Sequence, residues 1–351
     1  MTGAERLLAA CRVRPVDATP AWFMRQSGGS LPAYLALRER HSVLDIARSP
    51  ELCAEVTAGA ADALGTDGAV LFADVTLPVE AMGVALELTA SGPVVERPIR
   101  SHDDLARLRR VDVEADLGFV LEAIRRVRSA IGVRAAVIGI AGGPFTLAAY
   151  LIEGGPSRDH LAAKRVAFGA PELWAGLLDR LTEVSVNYVR AQVAAGAQVI
   201  QLFDSWAGAL GPTDYDRLVA PWTARILAAI RDAGVPAIHF AAAGSALLER
   251  LAAGADVVSV DSGQSLAVAR GRLGPSVAVQ GNLDPARLVA GWPAVAAGVD
   301  EVLAGAGPRP GHIFNAGHAA PRETDPAILR DTVGLVHQRT ARTLEPAEAR
   351  P

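Results

Sequence analysis

Polar and charged residues stand directly after short apolar runs at several points of this chain. Arg25-Gln26 follows Ala21–Met24, Asp74 follows Ala69–Ala73, Asp204-Ser205 follows Val199–Phe203, and Asp261-Ser262 follows Val257–Val260. Asn282 and Asp284 come after Val277–Val279, and Asn315 and His318 after Ile313–Phe314. A guanidinium beside an apolar segment needs an anionic partner. Arg25 therefore either pairs internally or faces an anionic substrate, and Asp74 poses the mirror-image question. Ser262 and Asp284 read as helix caps, Asp284 with Pro285 at the first helical position.

Other chemistries lack their signatures. A metallohydrolase barrel would carry two histidines alternating on one strand, and no His-x-His occurs. His239 is followed by Phe240-Ala241-Ala242-Ala243, so no cysteine completes a thiolate zinc site of the methyltransferase type. His312 is expected to begin its strand, at the wrong end for chemistry. Ser205 has no G-x-S-x-G frame, and neither Cys11 nor Cys53 follows a strand. The residues alone suggest a barrel enzyme with Arg and Asp in a largely apolar pocket, using neither a metal nor an organic cofactor.

Eight apolar runs could position these residues: Ala21–Met24, Ala69–Ala73, Ala136–Ile140, Val199–Phe203, Ala237–Phe240, Val257–Val260, Val277–Val279 and Ile313–Phe314. Most are unbroken rather than alternating, as expected of parallel strands covered by helices on the outside. Segments such as Leu173–Ala195 and Tyr215–Ala233 carry apolar residues at helical spacing between them. Eight such units predict an α/β fold, a (β/α)8 TIM barrel. A doubly wound open sheet is the alternative, but no phosphate loop or correctly spaced dinucleotide fingerprint supports it. Residues 1–338 are read as one domain with a short N-terminal helical extension, and 339–351 as a polar tail.

The chain has 351 residues, with 34 Lys+Arg against 38 Asp+Glu, a net charge of −4. Half the residues are hydrophobic, which supplies a core and excludes a disordered chain. No basic block points to nucleic acid. Two cysteines cannot build a disulfide framework, which fits a reducing cytoplasm. The first 15 residues do not read as a signal peptide, because Arg12 and Arg14 follow a short apolar stretch. Ala135–Ile152 is uncharged, but Gly142-Gly143-Pro144 interrupts it, so it reads as strand, turn and helix start rather than a membrane span.

Several segments together resemble the uroporphyrinogen decarboxylase family. They are Thr19-Pro20-Ala21-Trp22-Phe23-Met24-Arg25-Gln26 with Leu31-Pro32 and Arg38, Leu71-Phe72-Ala73-Asp74, and Gly143-Pro144-Phe145-Thr146-Leu147 leading to Tyr150 and Glu153-Gly154-Gly155. Phe203-Asp204-Ser205-Trp206-Ala207-Gly208, Gln280-Gly281-Asn282-Leu283-Asp284-Pro285 and Phe314-Asn315-Ala316-Gly317-His318 complete the set, in the family's order over residues 12–338. The resemblance implies a TIM barrel, a cytoplasmic homodimer in porphyrin and heme biosynthesis, and a lyase that needs no cofactor or metal. Its substrate would be a porphyrinogen polycarboxylate, with no nucleic-acid or membrane partner. Acetate side chains of uroporphyrinogen III would lose CO2 to leave methyls, giving coproporphyrinogen III. Catalytic roles then fall to Arg25, Asp74 and Tyr150. Asp74 would accept hydrogen bonds from the pyrrole N–H groups and stabilise the cationic ring, while Arg25 would bind a carboxylate and help deliver the proton. Substrate binding falls to Gln26, Arg38, Phe203, Ser205 and His318.

The chain departs from the family pattern at pocket positions. Gly29 stands where a second carboxylate-binding arginine is usual, with Ser27 for an alanine before it. Thr76 replaces an aliphatic residue, Ile140 an aromatic one, and Ser262 the tryptophan after Asp261. Ala241-Ala242-Ala243-Gly244 and Ala316-Gly317-His318-Ala319 also differ from the usual turns. Arg38 could stand in for the arginine missing at Gly29. The losses fit two alternatives, a specialised paralogue acting on a smaller aromatic or heteroaromatic carboxylate, and a non-catalytic porphyrinogen-binding protein.

Overall fold

A computed structural model describes residues 1–89 and 92–344. Seven strands form one parallel sheet in strict chain order: β1 (Gly68–Val70), β4 (Ala136–Gly142), β5 (Val199–Phe203), β6 (Ala237–Phe240), β7 (Val257–Ser259), β8 (Ala278–Gln280) and β9 (His312–Ile313). An antiparallel hairpin, β2 (Leu86–Thr89) and β3 (Gly92–Val95), sits apart from it. Helices follow the strands and cover the outside, the longest being Pro171–Ala195. This is the predicted α/β barrel, curled around one interior.

The run Ala21–Met24 takes the eighth place, but as a single bridge rather than a regular strand. Ala21 pairs in parallel with Phe314, the Trp22 N–H donates to the Phe314 carbonyl at 3.2 Å, and the Phe314 N–H donates to Pro20 O at 2.8 Å. Toward β1 the seam has one backbone bond, from the Asp67 N–H to the Ala21 carbonyl at 2.9 Å, and otherwise uses side chains. The Ala21 N–H donates to Asp67 Oδ2, the Gln26 amide donates to Gly68 O at 2.7 Å, and the Ser27 hydroxyl donates to Val70 O. Side-chain acceptors and donors thus satisfy backbone groups that a strand partner would otherwise take.

Inside the barrel, Trp22, Ile138, Val199, Ile238, Val257, Ala278 and Ile313 form one cluster. Leu7, Ala10 and Cys11 of the helix Gly3–Cys11 join that cluster, so the N-terminal extension packs against it. The final helix runs Pro326–Thr340, so residues 339 and 340 of the expected tail are helical. Residues 345–351 of that tail lie outside the described residues.

Asp67 ties these parts together. It is 2% exposed, accepts from Arg6 Nη1 at 2.6 Å and from the Ala21 N–H at 2.8 Å, and lies 2.8 Å from His337 Nε2. One carboxylate therefore joins the N-terminal helix, the bridging segment and the last helix. Asp67→Ala would take from Arg6 one of its two carboxylates, Asp17 being the other, and leave a buried N–H without its acceptor, and is expected to cost about 2–3 kcal/mol. Asp62→Ala, which breaks the exposed Arg134–Asp62 pair, is expected to cost about 0.5 kcal/mol. Urea unfolding of the two variants measures the contrast; equal costs would remove Asp67 from its role as clamp.

Candidate functional site

Arg25, Asp74, Phe203, Ser205 and His318 stand at or just beyond the ends of the parallel strands and of the bridging segment, and Tyr150 lies in the helix Pro144–Glu153 that follows β4. Arg25 sits at φ +64°, a left-handed conformation that disfavours a residue with a Cβ. Its buried neighbours Met24 and Gln26 hold it there, at 4% and 1% exposure. The Arg25 side chain is exposed, and its guanidinium has no hydrogen bond or ion pair among the described residues. Of the two readings of Arg25, internal pairing is therefore not the one the fold adopts.

Asp74 is half-buried and is used on one side only. Its Oδ1 accepts from the Thr76 N–H at 2.9 Å and from the Thr76 hydroxyl at 2.5 Å. Oδ2 has no partner among the described residues. Thr76 thus fixes the carboxylate through one oxygen and leaves the other without a bond among the described residues.

Tyr150 shares an electrostatic environment with both groups. Burial pushes its phenol up to about 12, with the Asp74 charge adding to the rise and the Arg25 charge opposing it. His318 opens to solvent on one side, yet the surrounding protein desolvates its ring. Its pKa is lowered first by that desolvation and then by Arg25, against a smaller raising effect of Asp261. Phe203, Phe240 and His318 make an aromatic strip, with centroids 6.1 and 5.8 Å apart. The half-buried Ser205 has a hydroxyl without a partner among the described residues.

Two predicted substrate binders are engaged elsewhere. The Gln26 amide is buried, accepting from the Phe23 N–H and donating to Thr66 Oγ1 and Gly68 O. The left-handed turn at Arg25 sends its neighbour inward. Arg38 ends the helix Pro32–Arg38 and donates to the His41 carbonyl, a local cap.

The cap readings divide. Asp284 caps the turn Pro285–Val289 by accepting from the Ala286 N–H, as expected. Ser265, not Ser262, caps the helix Leu266–Leu273. The loop between them is held by Asp261, which accepts from the Gly244 and Gly263 N–H groups, and by Asn282, which donates to the Asp261 and Gln264 carbonyls. His239 alternates with the inward-facing Ile238 and Phe240, so it points out of the barrel, where Nδ1 lies 3.0 Å from Leu251 O.

The family model described as Uroporphyrinogen decarboxylase (URO-D) matches residues 2–339. The chain belongs to the uroporphyrinogen decarboxylase family. A uroporphyrinogen decarboxylase of Salinispora tropica is 48% identical over 335 residues, covering 95% of this chain and 90% of that protein. One from Streptomyces griseus is 48% identical over 343 residues, covering 97% and 93%. Among solved structures, a methyltransferase from Methanosarcina mazei superposes with a TM-score of 0.76 over 97% of this chain and 99% of its own. At 22% identity that likeness speaks to the fold alone.

Within the uroporphyrinogen decarboxylase frame, the departures acquire surroundings. Gly29 has φ +74°, and a Cβ there would lie 3.5 Å from the Arg322 carbonyl oxygen. Arg322 is an exposed arginine without an ion pair among the described residues. Ile140 packs in the barrel interior, and the Ser262 backbone lies against Gly317. Sequence reasoning missed Thr76 as the support of Asp74 and Trp206 as the support of Tyr150. Asp74-Val75-Thr76 carries the signal for the first, an acidic side chain two residues before the N–H that it binds.

Proposed function

We propose that the protein is a cofactor-independent carboxy-lyase converting the acetate side chains of uroporphyrinogen III to methyls. The observation that carries this reading is a guanidinium, Arg25, with no ion pair among the described residues, and a carboxylate, Asp74, with one oxygen fixed and one free, both within electrostatic reach of Tyr150. Both follow strand-end positions in a chain of this family.

The reaction needs three things from the site. A proton must reach the pyrrole carbon next to the one bearing the acetate, which makes the ring an iminium cation. The C–C bond to the carboxylate then breaks, CO2 leaves, and its electron pair flows into the ring. Protonation of the exocyclic methylene and loss of the added ring proton give the methyl. Asp74 Oδ2 accepts the pyrrole N–H and opposes the ring's positive charge, in a pocket where fixed charges act strongly. Arg25 holds a substrate carboxylate and orients the proton donor. Tyr150, Ser205 and His318 contact the remaining acetate and propionate groups, and Phe203 supports the ring. Gln26 acts from inside the fold, by setting the turn that presents Arg25. Arg322, beside Gly29, is better placed than Arg38 to supply a second guanidinium there. The enzyme works as a homodimer in the cytoplasm.

Anaerobic incubation with uroporphyrinogen III and no added metal, followed by oxidation and separation by carboxylate number, tests the reading. The expected result is a ladder from eight carboxylates down to four. A folded protein that releases no CO2 would overturn it.

A further inference from the structure

Asp204 is the most deeply buried acid at the strand ends, at 0% exposure. It follows β5, yet its side chain reaches across to the start of the helix Pro144–Glu153. Its Oδ1 accepts from the Thr146 N–H and from the Thr146 hydroxyl, both at 2.9 Å. A residue of the next βα loop therefore caps this helix, whose own N-cap, Gly143, has no side chain to do so. The approach is so close that a Cβ on Gly143 would lie 2.3 Å from Asp204 Cγ.

The contact continues toward the site. The Trp206 N–H donates to Thr146 Oγ1 at 3.1 Å, and the Trp206 indole lies on the Tyr150 ring with centroids 4.1 Å apart. His160 stacks on the same indole at 4.7 Å. Tyr150 sits one helical turn beyond Thr146, so its helix and the indole beside it are both anchored through the Thr146 hydroxyl. Burial raises the Asp204 carboxyl to about 6, and Oδ2 has no partner among the described residues. A buried, incompletely paired acid is costly where only a fold is needed.

We propose that Asp204, through Thr146 and Trp206, is the positioning residue of Tyr150, fixing the phenol over the space between Arg25 and Asp74. The inference rests on Tyr150 acting on the substrate as proposed above, and its test separates the two. Thr146→Val removes the hydroxyl but keeps the N–H. It is expected to lower kcat about tenfold with KM within about twofold, and Thr146→Ser is expected to restore it. In a Tyr150→Phe background, Thr146→Val should change kcat by less than about twofold, because the positioned group is already gone. Asp204→Ala should behave as Thr146→Val does, and Asp204→Asn, which keeps an acceptor, should retain most activity.

An independent readout is the phenol resonance of ring-labelled Tyr150, assigned by its loss in Tyr150→Phe. In Thr146→Val, water reaching the loosened ring should lower its titration midpoint from about 12. An unchanged Tyr150 titration, or an equal kcat loss with and without the phenol, would overturn the positioning role. A shifted titration with Tyr150→Phe fully active would keep the positioning and discard only the role of Tyr150 on substrate.

Discussion

Asp74→Asn is expected to reduce turnover roughly 1000-fold, about 4 kcal/mol of transition-state stabilisation. The substitution changes little in shape. Asn can keep its oxygen on the Thr76 N–H and hydroxyl, the two bonds that Asp74 Oδ1 accepts. The amide NH2 then occupies the place of the free Oδ2. A donor would face the pyrrole N–H, itself a donor, and the negative charge opposing the cationic ring would be gone. Binding should survive, because the substrate's carboxylates are held by other groups. Single-turnover decarboxylation and titration with the four-carboxylate product separate the two effects. Removing the Asp74 charge should also lower the Tyr150 titration midpoint, since that charge helps to raise it. Turnover within tenfold of the parent would sink the assignment of Asp74 as the cation-stabilising group.

The barrel was legible because most of its strands are short and unbroken in their apolarity, as in Ala69–Ala73 and Ala136–Ile140, with long helices between them. The first run was legible as an element but not as a bridge. Beside one backbone bond, what holds Ala21–Met24 against β1 is the side chains of Asp67, Gln26 and Ser27, and apolar periodicity says nothing about side-chain hydrogen bonds. Gln26 misled for a related reason. Its position beside Arg25 suggested a shared pocket, while the left-handed turn at Arg25 sends the two side chains to opposite destinations. Arg25, Asp74, Ser205 and His318 stood out because polar residues that end apolar runs lie where the βα loops of a barrel begin. Tyr150 does not end a strand, and only the family resemblance pointed to it. The support from Thr76 and Asp204 depends on distances of 2.5–2.9 Å between neighbouring side chains and loops, which spacing along the chain does not encode.

Arg25→Gly is expected to separate activity from stability. The guanidinium makes no hydrogen bond or ion pair within the described fold, so its removal breaks none. Its backbone lies at φ +64°, where a side chain costs about 1 kcal/mol and glycine does not. Glycine's greater freedom in the unfolded chain offsets a similar amount. Unfolding free energy should therefore stay within about 1 kcal/mol of the parent. Substrate binding should not stay the same. A charge-assisted bond to a carboxylate contributes about 1.5–3 kcal/mol, so KM for uroporphyrinogen should rise roughly 10- to 100-fold. The Arg25→Lys variant should recover little of it, because an ammonium cannot offer the planar, two-pronged donor that matches a carboxylate. Steady-state kinetics beside urea unfolding of both variants decide the matter. A left-handed arginine with no partner among the described residues then has a physical reason to persist: its backbone strain holds a cation where the substrate's carboxylate can pair with it. If Arg25→Gly lost stability and kept its KM, the strain would serve the fold, and the carboxylate would have to be bound elsewhere, with Arg322 beside Gly29 as the next residue to change.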